Sequence, residues 1–470
     1  MNMPKIIDTR FRTALKRLAA AGRIESISGS VDTNLEIASI LKKRDGNKAV
    51  MFSEVKGFDM PIIGNVLSSQ ANCEAAFGID FRGIRKLIER GMTKPLEPKV
   101  MPSAPWQENV HTKDFDIGKL LPVLKHTEKD PGRFVTGGVV ICKDPDSGTY
   151  NASYHRLQLI GPDRTAIKLD YGRHTRLAFE RAAKRGQDLP IAVCIGTDLS
   201  VLYAAATMGS QMPESADELK AAGGLIGEPL PVCKGVTQDI LIPTESEIVL
   251  EGILRHDKKQ HEGPFGEFIG YMSNEGDCPV FEITSISHRN NPVYYAINGY
   301  GRETVMLRKY VLEASLLKVL QAATPTVDDV DMTAGGLHRF HAVISVNKIS
   351  PQSDGFERNA MLAAFGALKD LDMVIAVNND IDIHDPVDVE YALATRMEAS
   401  KDLMVVPETR GHEYIRCGRD GIRAKLAIDA TVPFDQLERF KRVKFQDVQI
   451  DEKRIDTHAS RHLAWLGKPD

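Results

Sequence analysis

Residues 134–171 read FVTGGVVICKDPDSGTYNASYHRLQLIGPDRTAIKLDY, and they carry the clearest β pattern in the chain. Three segments of strand length, 134–141, 150–160 and 166–171, are separated by the turn sequences DPDSG and GPD. This spacing predicts two successive hairpins.

The β pattern continues downstream of this stretch. Four further segments have the length of strands: 238–241, 248–254, 280–287 and 293–297. Helical patterns at 176–185 and 215–222 interrupt them, which favours a closed or partly closed β-barrel with helical insertions over a parallel sheet.

The two ends of the chain have a different pattern, in which short apolar runs alternate with helical periodicity. Such alternation is typical of α/β structure. We therefore predict a mixed α/β (α+β) fold of three domains: an N-terminal α/β region with its linker (1–120), a central β-barrel (121–300) and a C-terminal α/β domain (301–470).

The composition is that of an ordinary globular chain. Of 470 residues, 42% are hydrophobic, and 60 Lys and Arg against 64 Asp and Glu give a formal net charge of −4. Without an excess of positive charge to neutralise phosphates, no nucleic-acid partner is expected. The sequence contains neither an uncharged apolar stretch of about 18 residues nor a signal-peptide core, so we expect a cytoplasmic protein without a membrane span.

Several common functional motifs are absent from the sequence. It contains no Walker loop, GxGxxG fingerprint, GxSxG elbow, HExxH helix or EF-hand loop. The glycine-rich segment 223–227 is assigned to packing or a turn, and the acidic segment 378–385 to turns and helix caps. The six cysteines form no CxxC pair, so we expect reduced, mostly buried thiols rather than a zinc or redox site.

The densest candidate site is HEGPFGE at 261–267. Its carboxylates, Glu262 and Glu267, are separated by a Gly-Pro-Phe-Gly turn whose glycines allow the chain to fold tightly, so both side chains could enter one cavity. Repulsion between them, or an apolar wall, would then keep one protonated near neutral pH, as a general acid requires. The alternative is a solvated hairpin tip with two surface glutamates.

Two further clusters lie in the quoted stretch and just beyond it. In NASYHR (151–156), strand alternation puts Asn151, Ser153 and His155 on one face and Arg156 on the other, where its planar guanidinium suits a carboxylate. In KLDYGRH (168–174), two cations and an imidazole follow a strand, which indicates phosphate binding, metal ligation or an ordinary surface.

These motifs together resemble the UbiD family of prenylated-flavin-dependent decarboxylases. The resemblance extends over nearly the whole chain. Its motifs are Asn151 with Arg156, Arg173-His174, IVLEG at 248–252, EGPFGE at 262–267 with Gly270-Tyr271, ALATR at 392–396 and IDAT at 428–431.

The resemblance implies a fold and an assembly. The fold is an N-terminal α/β region, a central split β-barrel of the flavin-reductase type that binds the cofactor, and a C-terminal α/β domain that builds a homodimer or a higher homo-oligomer.

It also implies the cofactor, prenylated FMN, which a flavin prenyltransferase supplies. A Mn(II) or Mg(II) ion holds its phosphate, with a potassium ion nearby. The implied metal ligands are Asn151 and His174. The implied cofactor neighbours are Tyr154, His155, Arg156, Lys168, Leu169, Arg173 and His174.

One implied metal ligand has no counterpart at its expected place. Relatives usually have a glutamate within a Gly-x-Pro-x-Glu-x-x-Lys-Cys pattern, whereas this chain has Pro231 there. Either Glu228 replaces it, or water and the flavin phosphate complete the shell, or metal binding is weakened.

The implied reaction is the reversible non-oxidative decarboxylation of an aromatic, heteroaromatic or α,β-unsaturated carboxylic acid. Glu267 would be the proton donor, with Arg156 and Glu262 completing a Glu-Arg-Glu network. A 4-hydroxybenzoate-type decarboxylase of quinone biosynthesis is an alternative, which Glu267 disfavours because such members tend to have aspartate there. A non-catalytic flavin-binding scaffold and an ordinary flavin oxidoreductase are the others.

Overall fold

The computed structural model describes residues 4–170, 172–207 and 213–443. The first part of the chain is a small α/β layer. Its elements are α1 (Phe11–Ala20), β1 (Ile24–Ile27), α2 (Glu36–Lys43), β2 (Ala49–Phe52), β3 (Ile62–Gly64), α3 (Gln70–Phe77), α4 (Phe81–Thr93), β4 (Lys99–Val100), β5 (Asn109–His111) and α5 (Ile117–Leu120).

The middle of the chain is dominated by strands. Its elements are β6 (Phe134–Val135), β7 (Gly138–Lys143), β8 (Tyr150–Tyr154), β9 (Leu157–Leu159), β10 (Arg164–Ile167), α6 (His174–Lys184), β11 (Leu189–Ile195), α7 (Leu199–Ala205), α8 (Glu218–Ile226), β12 (Pro231–Lys234), β13 (Leu241–Pro243), β14 (Ile248–Glu262), β15 (Gly276–His288) and β16 (Tyr294–Ala296).

The last part alternates helices and strands, as predicted. Its elements are α9 (Arg302–Ala323), β17 (Val327–Met332), β18 (His341–Val346), α10 (Phe356–Ala367), β19 (Met373–Asn378), α11 (Pro386–Arg396), α12 (Ala399–Asp402), β20 (Leu403–Arg410) and β21 (Ile422–Ala430). Short 3₁₀ helices occur at Pro105–Gln107, Pro351–Ser353 and Phe434–Phe440.

The central sheet has nine strands in the order β6-β9-β10-β15-β14-β11-β7-β8, with β5 added beside β15. Its pairings are antiparallel, and the two predicted hairpins are present as β7–β8 and β9–β10. The mixed α/β prediction is therefore confirmed. The split-barrel form of this sheet stays a prediction.

One predicted strand, 150–160, is wrong in a way that matters for the site. The chain forms two strands there, because β8 pairs with β7 whereas β9 pairs with β10 and β6. His155 and Arg156 occupy the break between them. Their side chains are thus presented at a corner of the sheet instead of along a continuous strand.

The predicted domain limits do not coincide with the strand pairing. β16 pairs in parallel with β3 in the N-terminal sheet, and β5 pairs with β15 in the central sheet. The N-terminal and central parts accordingly share one hydrophobic core.

The C-terminal sheet has the order β17-β18-β19-β21-β20 and packs its own cores. Helix α9 joins the two parts, because Tyr310 belongs to the first core and Leu316 to the core of the C-terminal sheet.

Three smaller expectations can also be compared with the structure. All six cysteines are free thiols, five of them buried and Cys417 exposed. The segment 223–227 ends α8, and Gly227 has the positive φ of 92° that closes many helices. Within the described part of the chain, no helix combines the length and apolar character that a membrane crossing requires.

Candidate active site

The two predicted carboxylates meet at one arginine. Glu262 ends β14, and the chain then turns sharply through Gly263, whose φ is 84°. We call residues 262–271 the acid turn. Arg156 donates from Nε to Glu262 Oε1 at 2.7 Å and from Nη2 to Glu262 Oε2 at 2.8 Å, and its Nη1 donates to Glu267. The solvated-hairpin alternative is therefore wrong.

Burial makes this triad electrostatically unusual. The Glu262 side chain has no exposed surface, and those of Arg156 and Glu267 are 9% and 17% exposed. Desolvation raises the pKa of Glu267 above its ordinary value, and the charge of Arg156 opposes the shift only in part. Glu267 therefore retains a proton to a higher pH than an ordinary glutamate.

The turn itself is held by bonds that fix where Glu267 points. The amide of Gly263 donates to Gln158 Oε1 at 2.9 Å, and that of Glu267 donates to the carbonyl of Tyr271, also at 2.9 Å. Phe265 packs under the guanidinium of Arg156, 5.3 Å from ring centroid to Cζ. The Gln158 side chain, a backbone bond within the turn and the Phe265 ring thus support the triad.

A second polar cluster surrounds Asn151 on β8. Asn151 Oδ1 accepts from Thr175 Oγ1 at 2.6 Å and from Ser153 Oγ at 3.1 Å, and its Nδ2 donates to Glu218 Oε1 at 3.1 Å. His174 Nδ1 lies 3.9 Å from the same carboxylate oxygen. An amide, an imidazole and a carboxylate therefore converge here.

Glu218 was not among the residues selected from the sequence. It is the first residue of α8, where the preceding Asp217 caps the helix through bonds to two backbone amides. Its side chain is buried, and desolvation raises its pKa. By contrast, Glu228 is exposed, and Pro231 simply begins β12.

A buried glutamate thus lies beside Asn151 and His174, earlier in the sequence than the positions considered for a third metal ligand. The glutamate that lies beside Asn151 and His174 precedes Pro231 by 13 residues. A signal was available, since Asp217-Glu218 opens the helix that ends in the glycine-rich segment. Single-sequence spacing does not indicate which face of that helix meets β8.

His155 is fixed in a neutral state by its surroundings. Its Nδ1 lies 2.9 Å from the Lys168 carbonyl and its Nε2 3.0 Å from Ser153 Oγ. Burial, followed by the charge of Arg173, lowers the pKa of His155 to about 4. The ring is thus a positioned hydrogen-bonding group at neutral pH.

A cavity of about 490 Å³ opens between the sheet corner, α9 and the C-terminal part. Six predicted residues line it: Tyr154, His155, Arg156, Lys168, Arg173 and Glu267. The other four lie outside the lining: Asn151, Leu169, His174 and Glu262.

Sequence reasoning missed the opposite side of this cavity. We call it the C-terminal wall, and it consists of Arg339, Lys369, Asp370, His412, Glu413 and Tyr414. Arg308 of α9 lies next to it in the lining. These residues come from separate segments, and no local motif marks any of them.

Three segments of the chain match the three parts of one family. Residues 15–91 match the 3-octaprenyl-4-hydroxybenzoate carboxy-lyase N-terminal domain, residues 99–301 its Rift-related domain and residues 305–430 its C-terminal domain.

Relatives of known activity are similar over most of their length. The anhydromevalonate phosphate decarboxylase of Methanosarcina mazei is 34% identical, covering 92% of this chain and 98% of that protein. The gallate decarboxylase of Lactiplantibacillus plantarum is 30% identical, covering 87% of this chain and 88% of that protein.

Solved structures agree with these matches. The UbiD-class enzyme HmfF from Pelotomaculum thermopropionicum, in complex with FMN, superimposes with a TM-score of 0.88 at 35% identity, covering 93% of this chain and 97% of that chain. An evolved dimeric form of HmfF in complex with prenylated FMN gives a TM-score of 0.84 at 32% identity, covering 96% and 99%. The resemblance seen in the motifs is confirmed, and this chain belongs to the UbiD family of carboxy-lyases.

Proposed function

We propose that this chain binds prenylated FMN and catalyses the reversible non-oxidative decarboxylation of an aromatic, heteroaromatic or α,β-unsaturated carboxylic acid. The observation that carries the proposal is the Glu262-Arg156-Glu267 triad at the edge of the 490 Å³ cavity. A protein without catalytic function has no need to bury two carboxylates around one arginine. The FMN and prenylated-FMN complexes of HmfF support the choice of cofactor.

The cluster around Glu218 fits a divalent metal. The ligand atoms of an octahedral Mn(II) or Mg(II) ion lie about 3 Å from their neighbours. The distance from Asn151 Nδ2 to Glu218 Oε1 is 3.1 Å, which is close to this value. The ligands would be Asn151, His174 and Glu218. Asn151 would turn its amide so that Oδ1 faces the ion, because Ser153 and Thr175 can accept bonds from Nδ2 as readily as they donate.

The basic residues beside this cluster fit the cofactor phosphate. Lys168 and Arg173 line the cavity, and Arg173 directly precedes His174, the first residue of α6. Their positive charges would pair with the phosphate, while neutral His155 orients the strand break without adding a further charge. The potassium ion implied by the resemblance belongs to the same proposal.

The residues of the triad have distinct tasks in the reaction. When bound, prenylated FMN supplies the electron sink for the carbon that loses its carboxylate. The C–C bond to that carboxylate breaks, CO2 leaves, and the carbon receives a proton from the Glu267 carboxyl group. Arg156 stabilises the Glu267 carboxylate that remains after this proton transfer. Glu262 fixes the guanidinium by accepting two parallel hydrogen bonds from it.

The proposal includes the cellular setting of the enzyme. We infer a cytoplasmic homodimer or larger homo-oligomer that receives its cofactor from a flavin prenyltransferase. The dimeric form of HmfF supports this assembly, and light scattering of the purified protein tests it.

Co-expression with a flavin prenyltransferase tests the proposed function. We expect a native mass and a visible spectrum that report bound prenylated FMN, and CO2 release or H/D exchange with an unsaturated acid. Protein that stays free of cofactor despite added Mn(II) and potassium would contradict the proposal and favour the scaffold. Reduction of the bound flavin by NAD(P)H would favour an oxidoreductase instead.

A further inference from the structure

Two histidines face each other where strand β5 joins the central sheet. The Nε2 atoms of His111 and His288 are 3.4 Å apart, and the centroids of the two rings are 5.5 Å apart. Because the nitrogens are closer together than the centroids, both Nε2 atoms lie on the facing edges of the rings. Neither residue lines the 490 Å³ cavity, and the proposed decarboxylation uses neither of them.

Strand pairing fixes this arrangement. β5 runs antiparallel to β15, and His111 lies opposite Ile286. Asn109 lies opposite His288, so the two histidines are diagonal neighbours on one face of the sheet. The Asn109 side chain donates to the His288 carbonyl at 3.3 Å and to Asn290 Oδ1 at 3.0 Å, which ties β5 to the end of β15.

The backbone next to His288 determines which nitrogen of its ring presents a lone pair. His288 Nδ1 lies 2.9 Å from the carbonyl oxygen of Arg289. A carbonyl oxygen only accepts hydrogen bonds, so this contact assigns the proton of the neutral ring to Nδ1 and the lone pair to Nε2, which faces His111. Metal-binding histidines are usually oriented in the same way, by donating the other ring N–H to a carbonyl or a carboxylate.

The second ring is also in the state that binds a metal. His111 is half-buried. Burial, followed by the charge of His288, lowers the pKa of His111 below its ordinary value. The His111 ring is therefore neutral at pH 7, as a metal ligand has to be.

The distance between the two nitrogens favours a tetrahedral ion. Tetrahedral zinc binds imidazole at about 2.0–2.1 Å, which puts two nitrogen ligands about 3.3 Å apart. Ligands at the right angle of an octahedral ion lie only about 3 Å apart. The observed 3.4 Å agrees with the tetrahedral value, and it exceeds the ~3.2 Å upper end of an ordinary hydrogen bond.

We propose that His111 and His288 bind Zn(II) through their Nε2 atoms, with two water molecules completing a tetrahedral shell. The ion bridges β5 and β15 and so stabilises the attachment of β5 to the central sheet. This site is separate from the cluster around Glu218, because β8, which carries Asn151, lies four strands away from β15 in the order of the central sheet.

Another cluster of ligand-type side chains already holds a cation. Asp188, His256 and Asp257 approach one another closely. However, Arg255 pairs with Asp188 at 3.2 Å and with Asp257 at 2.9 Å, so a metal would have to displace the guanidinium. His256 therefore serves as the control histidine for the proposed site.

Co(II) substituted for Zn(II) tests the proposal on the full-length protein. Tetrahedral Co(II) absorbs visible light much more intensely than octahedral Co(II) does, so geometry can be read from a difference spectrum. We expect Co(II) to give the intense absorption and Zn(II), added afterwards, to remove it. His111→Gln and His288→Gln should each abolish this absorption and lower the Zn(II) affinity at least about tenfold, as is typical even of substitutions outside a ligand shell.

Two control variants and a thermal melt identify the site. His256→Gln and Glu218→Gln should both keep the tetrahedral Co(II) absorption. Zn(II) should raise the melting temperature of the unmodified protein more than that of His111→Gln or His288→Gln, because an ion that binds only the folded state stabilises it. In EDTA the three proteins should melt alike, which would show that the two variants keep the fold.

Three results would overturn the proposal. They are an unchanged Co(II) absorption in both histidine variants, its loss in only one of them, and its loss in His256→Gln or Glu218→Gln. The outcome is independent of the proposed function, since His111→Gln should retain prenylated FMN and CO2 release.

Discussion

Glu267 is the side chain on which the proposed chemistry depends most. Burial raises its pKa while the charge of Arg156 favours the ionised form, so Glu267 keeps its proton to a higher pH than an ordinary glutamate. We expect Glu267→Gln to lower CO2 release by at least about 100-fold, because the amide cannot deliver the proton. Cofactor content, read from the visible spectrum, should not change.

The pH profile of the unmodified enzyme gives a second test of the same residue. Because the acid must be protonated to act, the rate of H/D exchange should fall as pH rises through the pKa of Glu267, which lies above the ordinary value of 4.5. A Glu275→Gln control changes a highly exposed carboxylate just beyond the turn and should behave like the unmodified enzyme. Undiminished exchange in Glu267→Gln would remove the assignment.

Glu218 allows a comparable test of the metal cluster. Even substitutions outside the ligand shell of a metal typically weaken binding 10- to 100-fold, so Glu218→Gln should weaken Mn(II) binding at least about tenfold. Metal content and cofactor retention after gel filtration measure the effect. The matched control is Glu228→Gln, which removes an exposed carboxylate from the segment between α8 and β12. If Glu228→Gln lost metal and Glu218→Gln did not, the ligand set would be wrong.

A buried ionic network links α4, β17 and the loop after β19. His384 Nδ1 lies 3.0 Å from Asp331 Oδ1, and its Nε2 lies 3.8 Å from Asp329, which also pairs with Arg85 of α4 at 2.7 Å. Burial lowers the pKa of His384, but bonds to the two aspartates dominate and raise it from 6.5 to about 9. The folded state therefore binds a proton here more tightly than the unfolded state.

This network predicts a pH-dependent contribution to stability. Because the folded pKa is raised, the contribution is complete below pH 6.5 and is lost as pH rises through about 9. His384→Gln should cost about 3 kcal/mol of unfolding free energy at pH 6 and much less at pH 10. Urea denaturation at both pH values measures it. The control is His261→Gln at an exposed histidine, which should change stability by less than about 0.5 kcal/mol. An equal cost of His384→Gln at both pH values would contradict the prediction.

The elements that were predictable share a local signal. The hairpins β7–β8 and β9–β10 follow from turn residues. The break between β8 and β9 could not be predicted, because it arises when the chain exchanges one pairing partner for another. His155 and Arg156 could be selected from the NASYHR motif, but nothing local indicated that they lie at a corner of the sheet.

The candidate site likewise contains residues that a local sequence signal marks and residues that it does not. Arg156, Glu262 and Glu267 could be selected from short motifs, because each motif has a chemical reason of its own. Glu218 and Arg308 lie on helices and become part of the site only through packing, Glu218 against β8 and Arg308 across the cavity. Their places in the site depend on tertiary contacts that a single sequence does not specify.

The whole molecule places its cavity between two separately packed parts. The triad belongs to the central sheet, the C-terminal wall belongs to the last third of the chain, and α9 runs through both cores. Phe268 of the acid turn stacks on Phe340 with ring centroids 6.2 Å apart, and the rings of His412 and Tyr414 complete the cluster. This aromatic cluster thus holds the acid turn against the C-terminal part.

Replacing Phe340, one ring of the cluster, should lower kcat as well as stability. Phe340→Ala is expected to cost about 3 kcal/mol of stability, as for any buried phenylalanine. It should also lower kcat about tenfold or more, because Glu267 is one residue from Phe268 and a small displacement of the acid is costly. Cofactor content should stay unchanged, since Phe340 is not among the residues that line the cavity.

Phe365→Ala is the matched control for this prediction. Phe365 is 8% exposed against 6% for Phe340, and it packs in the core of the same C-terminal sheet. The control should therefore lose similar stability in thermal melts while keeping kcat. Equal losses of kcat in the two variants would mean that the aromatic cluster contributes to folding alone. A loss confined to Phe340→Ala would mean that packing between the two parts positions the proton donor.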